Sequence, residues 1–205
     1  MSDNAEQRGL ISALEAIAND APDDGLSLGK FVDALGERAF GVILFAMALP
    51  VSIPFLYGVP QIMSLPMMAL AAQMVMGREE PWLPGQFKTR TLSKASLTGM
   101  ARGGRKWFGW LEALARPRLL FLSGPTVERV IGVIFLIFCA SIMLPLPLTN
   151  SVPGIALAIA ALGLLTRDGL LILLGILLGT VWITLLLFLG STLVDVIKAF
   201  LASLA

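Results

Sequence analysis

Three stretches of this chain carry no charged side chain. They run for 39 residues between Arg38 and Arg78, 37 between Arg129 and Arg167, and 26 between Asp168 and Asp195. A helical pass through a bilayer core takes ~20 apolar residues. The first two stretches are long enough for two passes each and the third for one. One such stretch can hide inside a soluble core, but three in 205 residues leave too little chain to cover them. Only 14% of the residues are charged, against ~25% in ordinary soluble domains. The reading is an all-α, multi-pass integral membrane protein with the lipid bilayer as its first partner.

The residue inventory closes several chemistries. There is no histidine and a single cysteine, Cys139, which sits in an apolar run and reads as a small buried hydrophobe. A zinc or haem site therefore lacks its usual ligands, and a Ser-His-Asp or Cys-His catalytic unit cannot be assembled. Gly103-Gly104 lacks the Gly-Lys-Ser/Thr that would make a phosphate loop. No spaced pair of carboxylates suggests glycosyl transfer. The expectation is a non-enzymatic protein with no catalytic residues, no metal and no cofactor. Met1 to Gly9 mixes acids with Arg8 and does not read as a secretory signal, so insertion is expected to rely on the later spans.

The net charge of +1 conceals an asymmetry. Residues 1–38 sum to −5 and residues 77–129 to +6. A basic loop between apolar runs marks the cytoplasmic side and faces anionic lipid headgroups. That use is expected ahead of nucleic-acid binding.

Five segments follow. In 1–38, Leu10, Ile11, Leu14, Ile17 and Ala18 share a helix face, Pro22 ends that helix, and Ser27 caps a second one containing Phe31, Val32 and Leu35. Acids on the polar face favour packing on protein over lying on lipid. In 39–76 an apolar helix meets Pro50, Pro54 and Pro60, which no straight helix tolerates. This predicts a hairpin turning near Tyr57-Gly58-Val59-Pro60, either crossing twice or dipping in as a re-entrant loop. In 77–129, Pro81-Trp82-Leu83-Pro84 reads as a rigid interfacial turn. Trp107, Phe108, Trp110, Leu111 and Leu114 among basic residues read as a helix in the headgroup layer. Segment 130–166 is a second Pro-broken hairpin. Segment 167–205 holds a transmembrane helix from Leu170 to Gly190, whose Gly175 and Gly179 form a G-x-x-x-G face that lets another helix approach closely, as in a homodimer, or that only reflects the frequency of glycine in such helices, and a short tail marked by Asp195 and Lys198.

The second hairpin repeats the first. Glu37-Arg38-Ala39-Phe40-Gly41-Val42-Ile43 recurs 91 positions on as Glu128-Arg129-Val130-Ile131-Gly132-Val133-Ile134. Pro50 and Pro54 find counterparts in Pro145 and Pro147, Pro60 in Pro153, and Gly77-Arg78-Glu79 in Thr166-Arg167-Asp168. An ordered set of charges, glycines and prolines is more than shared apolar composition supplies.

Several of these pieces resemble the bacterial exopolysaccharide synthesis protein ExoD family. They are Ser27-Leu28-Gly29, Leu35-Gly36-Glu37-Arg38 with Gly41, Gly77-Arg78, Pro81-Trp82-Leu83-Pro84, Arg116-Pro117-Arg118, Pro145-Leu146-Pro147 with Asn150 and Pro153, and Arg167-Asp168-Gly169. The resemblance implies a role in making or exporting surface polysaccharide in the bacterial inner membrane. It carries over no catalytic residue.

Two sets of residues are candidates for a site. Glu37, Arg38, Glu128 and Arg129 stand at the mouths of the broken runs, and Arg78, Arg167 and Asp168 close them. These either anchor span ends or converge on an anionic substrate. Pro50, Pro54, Pro60, Pro145, Pro147, Asn150 and Pro153 break helices at matching places, as in transporters whose site lies between repeats. Nearby Ser52, Gln61, Thr149 and Ser151 either cap the broken ends or contact a solute. If each run returns to its own side, the repeats are parallel and the C-terminus lies outside. Inverted repeats would need an odd number of crossings between equivalent points. Two functions stay open: a membrane component of exopolysaccharide synthesis or export, and a secondary transporter or channel-like carrier for a proton, ion or small anionic solute.

Overall fold

The computed structural model describes residues 10–36, 38–56, 58–114, 119, 124–144 and 149–204. Glu37, Tyr57, Arg116 to Arg118, Pro145 and Pro147 lie outside the described residues, as do the side chains of Trp107 to Leu114. The chain is mostly helical. Its elements are α1 (Leu10–Asp20), β1 (Leu26–Ser27), α2 (Leu28–Leu35), α3 (Arg38–Val51), α4 (Val59–Val75), α5 (Gly85–Lys88), β2 (Thr91–Leu92), α6 (Lys94–Leu114), α7 (Pro125–Met143), α8 (Ser151–Thr166) and α9 (Gly169–Leu204).

Local chemistry sets several of these boundaries. Ser27 accepts the Lys30 N–H at 3.4 Å and starts α2. α2 buries Phe31, Val32 and Leu35 on one face and ends at Gly36, whose φ is 55°. α3 keeps a buried stripe of Phe40, Gly41, Leu44, Ala48 and Val51, and Pro50 sits in its last turn. The chain then breaks through Ser52 to Gly58, with Phe55 at φ 65° and Gly58 at φ 82°. Pro60 falls in the first turn of α4, where its missing N–H costs nothing. α7 buries Ile131, Phe135, Phe138, Cys139 and Ile142 at helical spacing.

The helices pair across the two hairpins. The largest contacts join α8 to α9, α3 to α8 and α4 to α7. α8 is the hub, with a buried run of Gly and Ala that lets its neighbours approach closely. Both cross-pairs are antiparallel. The start of α3 lies against the end of α8, because a Cβ on Gly41 would meet Leu165 N and Ala161 O at 2.9 and 3.0 Å. The end of α3 lies against the start of α8, because a Cβ on Gly154 would meet Val51 Cγ1 at 2.9 Å. The start of α7 lies against the end of α4 through Gly132. Both hairpins therefore have their open ends at one level, the base, and their turns at the other, the tip.

One apolar core joins α3, α4, α7 and α8 with Ile172 of α9. A second, at the base, joins Ala18, Ala21, Phe31, Val32, Leu35, Ala39 and Leu97. There α1 packs on α6, with Arg105 Nη2 donating to Glu15 Oε2 at 2.7 Å, so α1 packs on protein. A two-residue ribbon, Leu26 with Leu92 and Ser27 with Thr91, ties the N-terminal segment to the middle one.

Two readings of the C-terminal segment change. α9 runs to Leu204, through Asp195 and Lys198. No proline or glycine follows those charges to stop it. The Gly175–Gly179 face is occupied within the chain: a Cβ at Gly175 would meet Ala160 N at 2.6 Å, and one at Gly179 would overlap the Phe138 ring. A homodimer would have to use another face.

Among the described residues, two helices are long and apolar enough to cross a membrane, Thr126–Met143 and Gly169–Thr192. α4 and α8 are apolar but shorter.

Candidate functional site

The candidate residues separate into two places at opposite ends of the hairpins. At the base stand Arg38, Arg78, Glu128, Arg129, Arg167 and Asp168. At the tip stand Pro50, Pro54, Pro60, Asn150 and Pro153. No single site holds both sets.

The two second arms end at the base in the same way. Gly77 takes φ 74° and Arg167 φ 52°. The next residue closes each helix over five positions, Arg78 N to Gln73 O at 3.1 Å and Asp168 N to Gly163 O at 2.9 Å. This is the closure of a helix by a left-handed residue. It aligns Gly77 with Arg167 rather than with Thr166, one residue from the pairing read in the sequence. Asp168 is buried, and its Oδ1 accepts the Leu170 and Leu171 N–H groups at 2.9 and 3.4 Å. It is the N-cap of α9, where a carboxylate also opposes the helix dipole. The antiparallel register of α3 and α8 puts half-buried Arg38 at the level of Asp168. At the other cross-pair, the exposed Arg129 lays its guanidinium on Gly77. A Cβ there would stand 2.6 Å from Nε and 2.8 Å from Cζ, so a side chain at this position would displace the guanidinium and be strained at its positive φ. Arg78 is exposed and Glu128 half-buried.

The tip is apolar outside and polar within. Ile53, Phe55 and Leu56 are exposed, Phe55 to 70%. Pro54 is exposed too, while Pro50 is half-buried and Pro60 and Pro153 are buried. The reading that the polar residues cap the broken ends does not hold for Asn150, whose side chain makes no cap bond at the start of α8. Ser52 Oγ instead donates to Ala48 O at 2.8 Å and Ser64 Oγ to Gln61 O at 2.7 Å. Two buried side-chain atoms among the described residues have no hydrogen-bond partner, Gln61 Oε1 and Asn150 Oδ1. Both belong to the start of a second arm. Trp182 Nε1 donates to Thr149 O at 3.1 Å and fastens the second tip to α9. Its signal in the sequence was a lone indole N–H inside an apolar helix, which needs an acceptor when buried.

Fold and site together define a mostly helical protein with two helices, among the described residues, long and apolar enough to cross a membrane. The family model described as "Exopolysaccharide synthesis, ExoD" matches residues 10–188, and the chain belongs to that family. Protein ExoD of Rhizobium meliloti (strain 1021) is 29% identical over 171 residues, covering 81% of this chain and 71% of that protein. An uncharacterized protein of Synechocystis sp. is 26% identical over 187 residues, covering 86% of this chain and 87% of that protein. No solved structure matches the chain. Membership implies a role in exopolysaccharide synthesis.

Proposed function

We propose that this chain is a non-enzymatic component of exopolysaccharide synthesis or export, embedded in the bacterial inner membrane. Two duplicated hairpins dip into the bilayer from the cytoplasmic side, and α9 alone crosses. The observation that carries the membrane part is the tip. A turn emerging into water needs polar residues, yet this one exposes Ile53, Phe55 and Leu56, which suit hydrocarbon.

Length agrees with a re-entrant course for three of the four arms. α3, α4 and α8 have 14, 17 and 16 residues, or about 21, 26 and 24 Å at 1.5 Å per residue, while α7, with 19 residues, is the one arm long enough to cross. A hydrocarbon core is ~30 Å thick. Trp182 gives a second gauge. It meets the second tip thirteen residues along α9 from Gly169, about 20 Å from the base. The apolar part of α9 continues to Thr192.

Duplication is supported by reciprocal packing. Gly41 faces Ala161 O and Leu165 N, while Gly132 faces Ala71 O and Val75 N. The same pair of backbone atoms is met at both crossings, ninety residues apart. The axis relating such halves runs along the hairpins, so the repeats are parallel.

Cysteine labelling tests the topology in a Cys139→Ser background. Phe55→Cys is expected to resist a membrane-impermeant thiol reagent from either side, Ser96→Cys to react only in opened cells, and Ser203→Cys to react in intact cells. Labelling of Phe55→Cys in intact cells would show a full crossing. For the process itself, deleting the gene should lower surface polysaccharide and returning it should restore the output. Unchanged output on deletion sinks the functional reading.

One observation favours the carrier as a second reading. The unpartnered oxygens of Gln61 and Asn150 lie where the helices break, and buried polar atoms without partners call for an explanation. Flux through vesicles holding the purified protein, lost on changing either residue, would move the carrier ahead.

A further inference from the structure

We propose that the base end of the α4–α7 pair is a binding site for an anionic phospholipid, its phosphate held by Arg129 and Arg78 and its upper acyl chain by Trp82 and Met76. This inference rests on the membrane reading above and deepens it by naming a partner.

The cations come first. Arg129 lies across the backbone of Gly77, one residue before Arg78, and both arginines are exposed. Among the described residues neither forms an ion pair with an acid. Arg129 also opposes the carbonyl end of α4, which holds the cation in place without neutralising it. The other half differs. There the corresponding level carries the Asp168 carboxylate, buried at the start of α9, so the first cross-pair does not present a bare cation pair.

The apolar part is built beside them. After Gly77 the chain folds back along α4. Gln73 clamps Trp82 at two points, accepting its N–H at 2.5 Å and donating to its carbonyl at 3.3 Å. Gln73 lies four residues before Gly77, so this clamp sets the Trp82 backbone about 6 Å inward from the end of the helix. Trp82 is 53% exposed and Met76 70%. An exposed indole on a backbone clamped to an apolar arm, at the same end of the α4–α7 pair as two exposed arginines, matches the boundary between headgroup and acyl chain. Guanidinium binds phosphate oxygens in a bidentate fork. A free phosphate ion would use the arginines and leave Trp82 and Met76 without a role.

Native mass spectrometry of the full chain in detergent, titrated with phosphatidylglycerol or phosphatidylcholine, tests the site. Each basic residue at such a surface favours anionic lipid appreciably, so phosphatidylglycerol should bind about tenfold more tightly. The preference should fall toward parity in Arg78→Gln/Arg129→Gln, survive in Lys94→Gln, and Trp82→Ala should weaken both lipids alike. If Arg129→Gln does not fold, Arg78→Gln alone should still lower the preference. An undiminished preference in the arginine variants overturns the site, as does displacement of the lipid by millimolar inorganic phosphate. A chain recovered in buffer without detergent defeats the membrane reading. A chain that needs detergent but prefers neither lipid defeats only this inference.

Discussion

Gly132 of α7 lies against the backbone of Ala71 in α4, where a Cβ would come within 2.9 Å of the Ala71 carbonyl oxygen. In an open helix, alanine is favoured over glycine by about 1 kcal/mol. Here the added methyl must push two backbones apart, and overpacking of that kind costs about 1–3 kcal/mol. Gly132→Ala is therefore expected to lower the unfolding midpoint in detergent, and Gly41→Ala to do the same. Gly99 in α6 has nothing within 4 Å of its Cβ position, so Gly99→Ala should leave the midpoint unchanged or raise it. A rise at Gly132 would mean that the α4–α7 contact is looser than described.

Asp168 carries the start of α9. Asp168→Ala removes the acceptor for two N–H groups and should cost about 1–2 kcal/mol. Asp168→Asn keeps a cap oxygen and should retain most of that. Thermal unfolding of the two variants separates capping from charge. Equal losses would show that the carboxylate acts by its charge rather than as a cap.

Much of the helical layout was legible because charge marks the ends of apolar runs. Arg38, Arg78, Arg129, Arg167 and Asp168 all stand at helix ends or in first turns, and the prolines fall where α3 stops and where α4 and α8 begin. Ser27 was legible as a cap because its neighbours had helical spacing. The pairing of arms was not. Hydrophobic period says which face of a helix is buried, never which helix covers it, and helices that are apolar nearly all round, such as α8, offer no face to read. The Gly175–Gly179 spacing left its partner unnamed for the same reason. It announces a close helix contact, but that contact is with Ala156, Ala160 and Phe138 of the same chain. The candidate site was legible as residue types, not as a place. Arginines and prolines alternate along the sequence, yet each apolar arm separates them by about 20 Å of helix.

Trp182 should report on the second tip. Trp182→Phe keeps the ring against the bundle and deletes the hydrogen bond to Thr149 O, at a cost of about 1 kcal/mol. The tip should loosen while α9 stays helical. Hydrogen exchange of residues 149–155 should rise, and that of residues 169–179 should stay as it was. Faster exchange in both segments would show that the indole supports the helix packing as a whole.

The unpartnered oxygens at the tips give the last prediction. A buried acceptor without a donor costs about 1–3 kcal/mol, and α4 and α8, which carry these residues at their starts, hold no charged side chain. Gln61→Leu and Asn150→Leu each replace that oxygen with an apolar group that the neighbouring side chains can accept. Each variant should therefore unfold at a higher temperature than the parent. Groups kept at the expense of stability are commonly there for function, so both variants should lower polysaccharide output at equal protein level. Stability gained with full output would place the two amides outside the working part of the molecule. Stability lost would mean that each oxygen has a donor in the folded protein, such as a bound water.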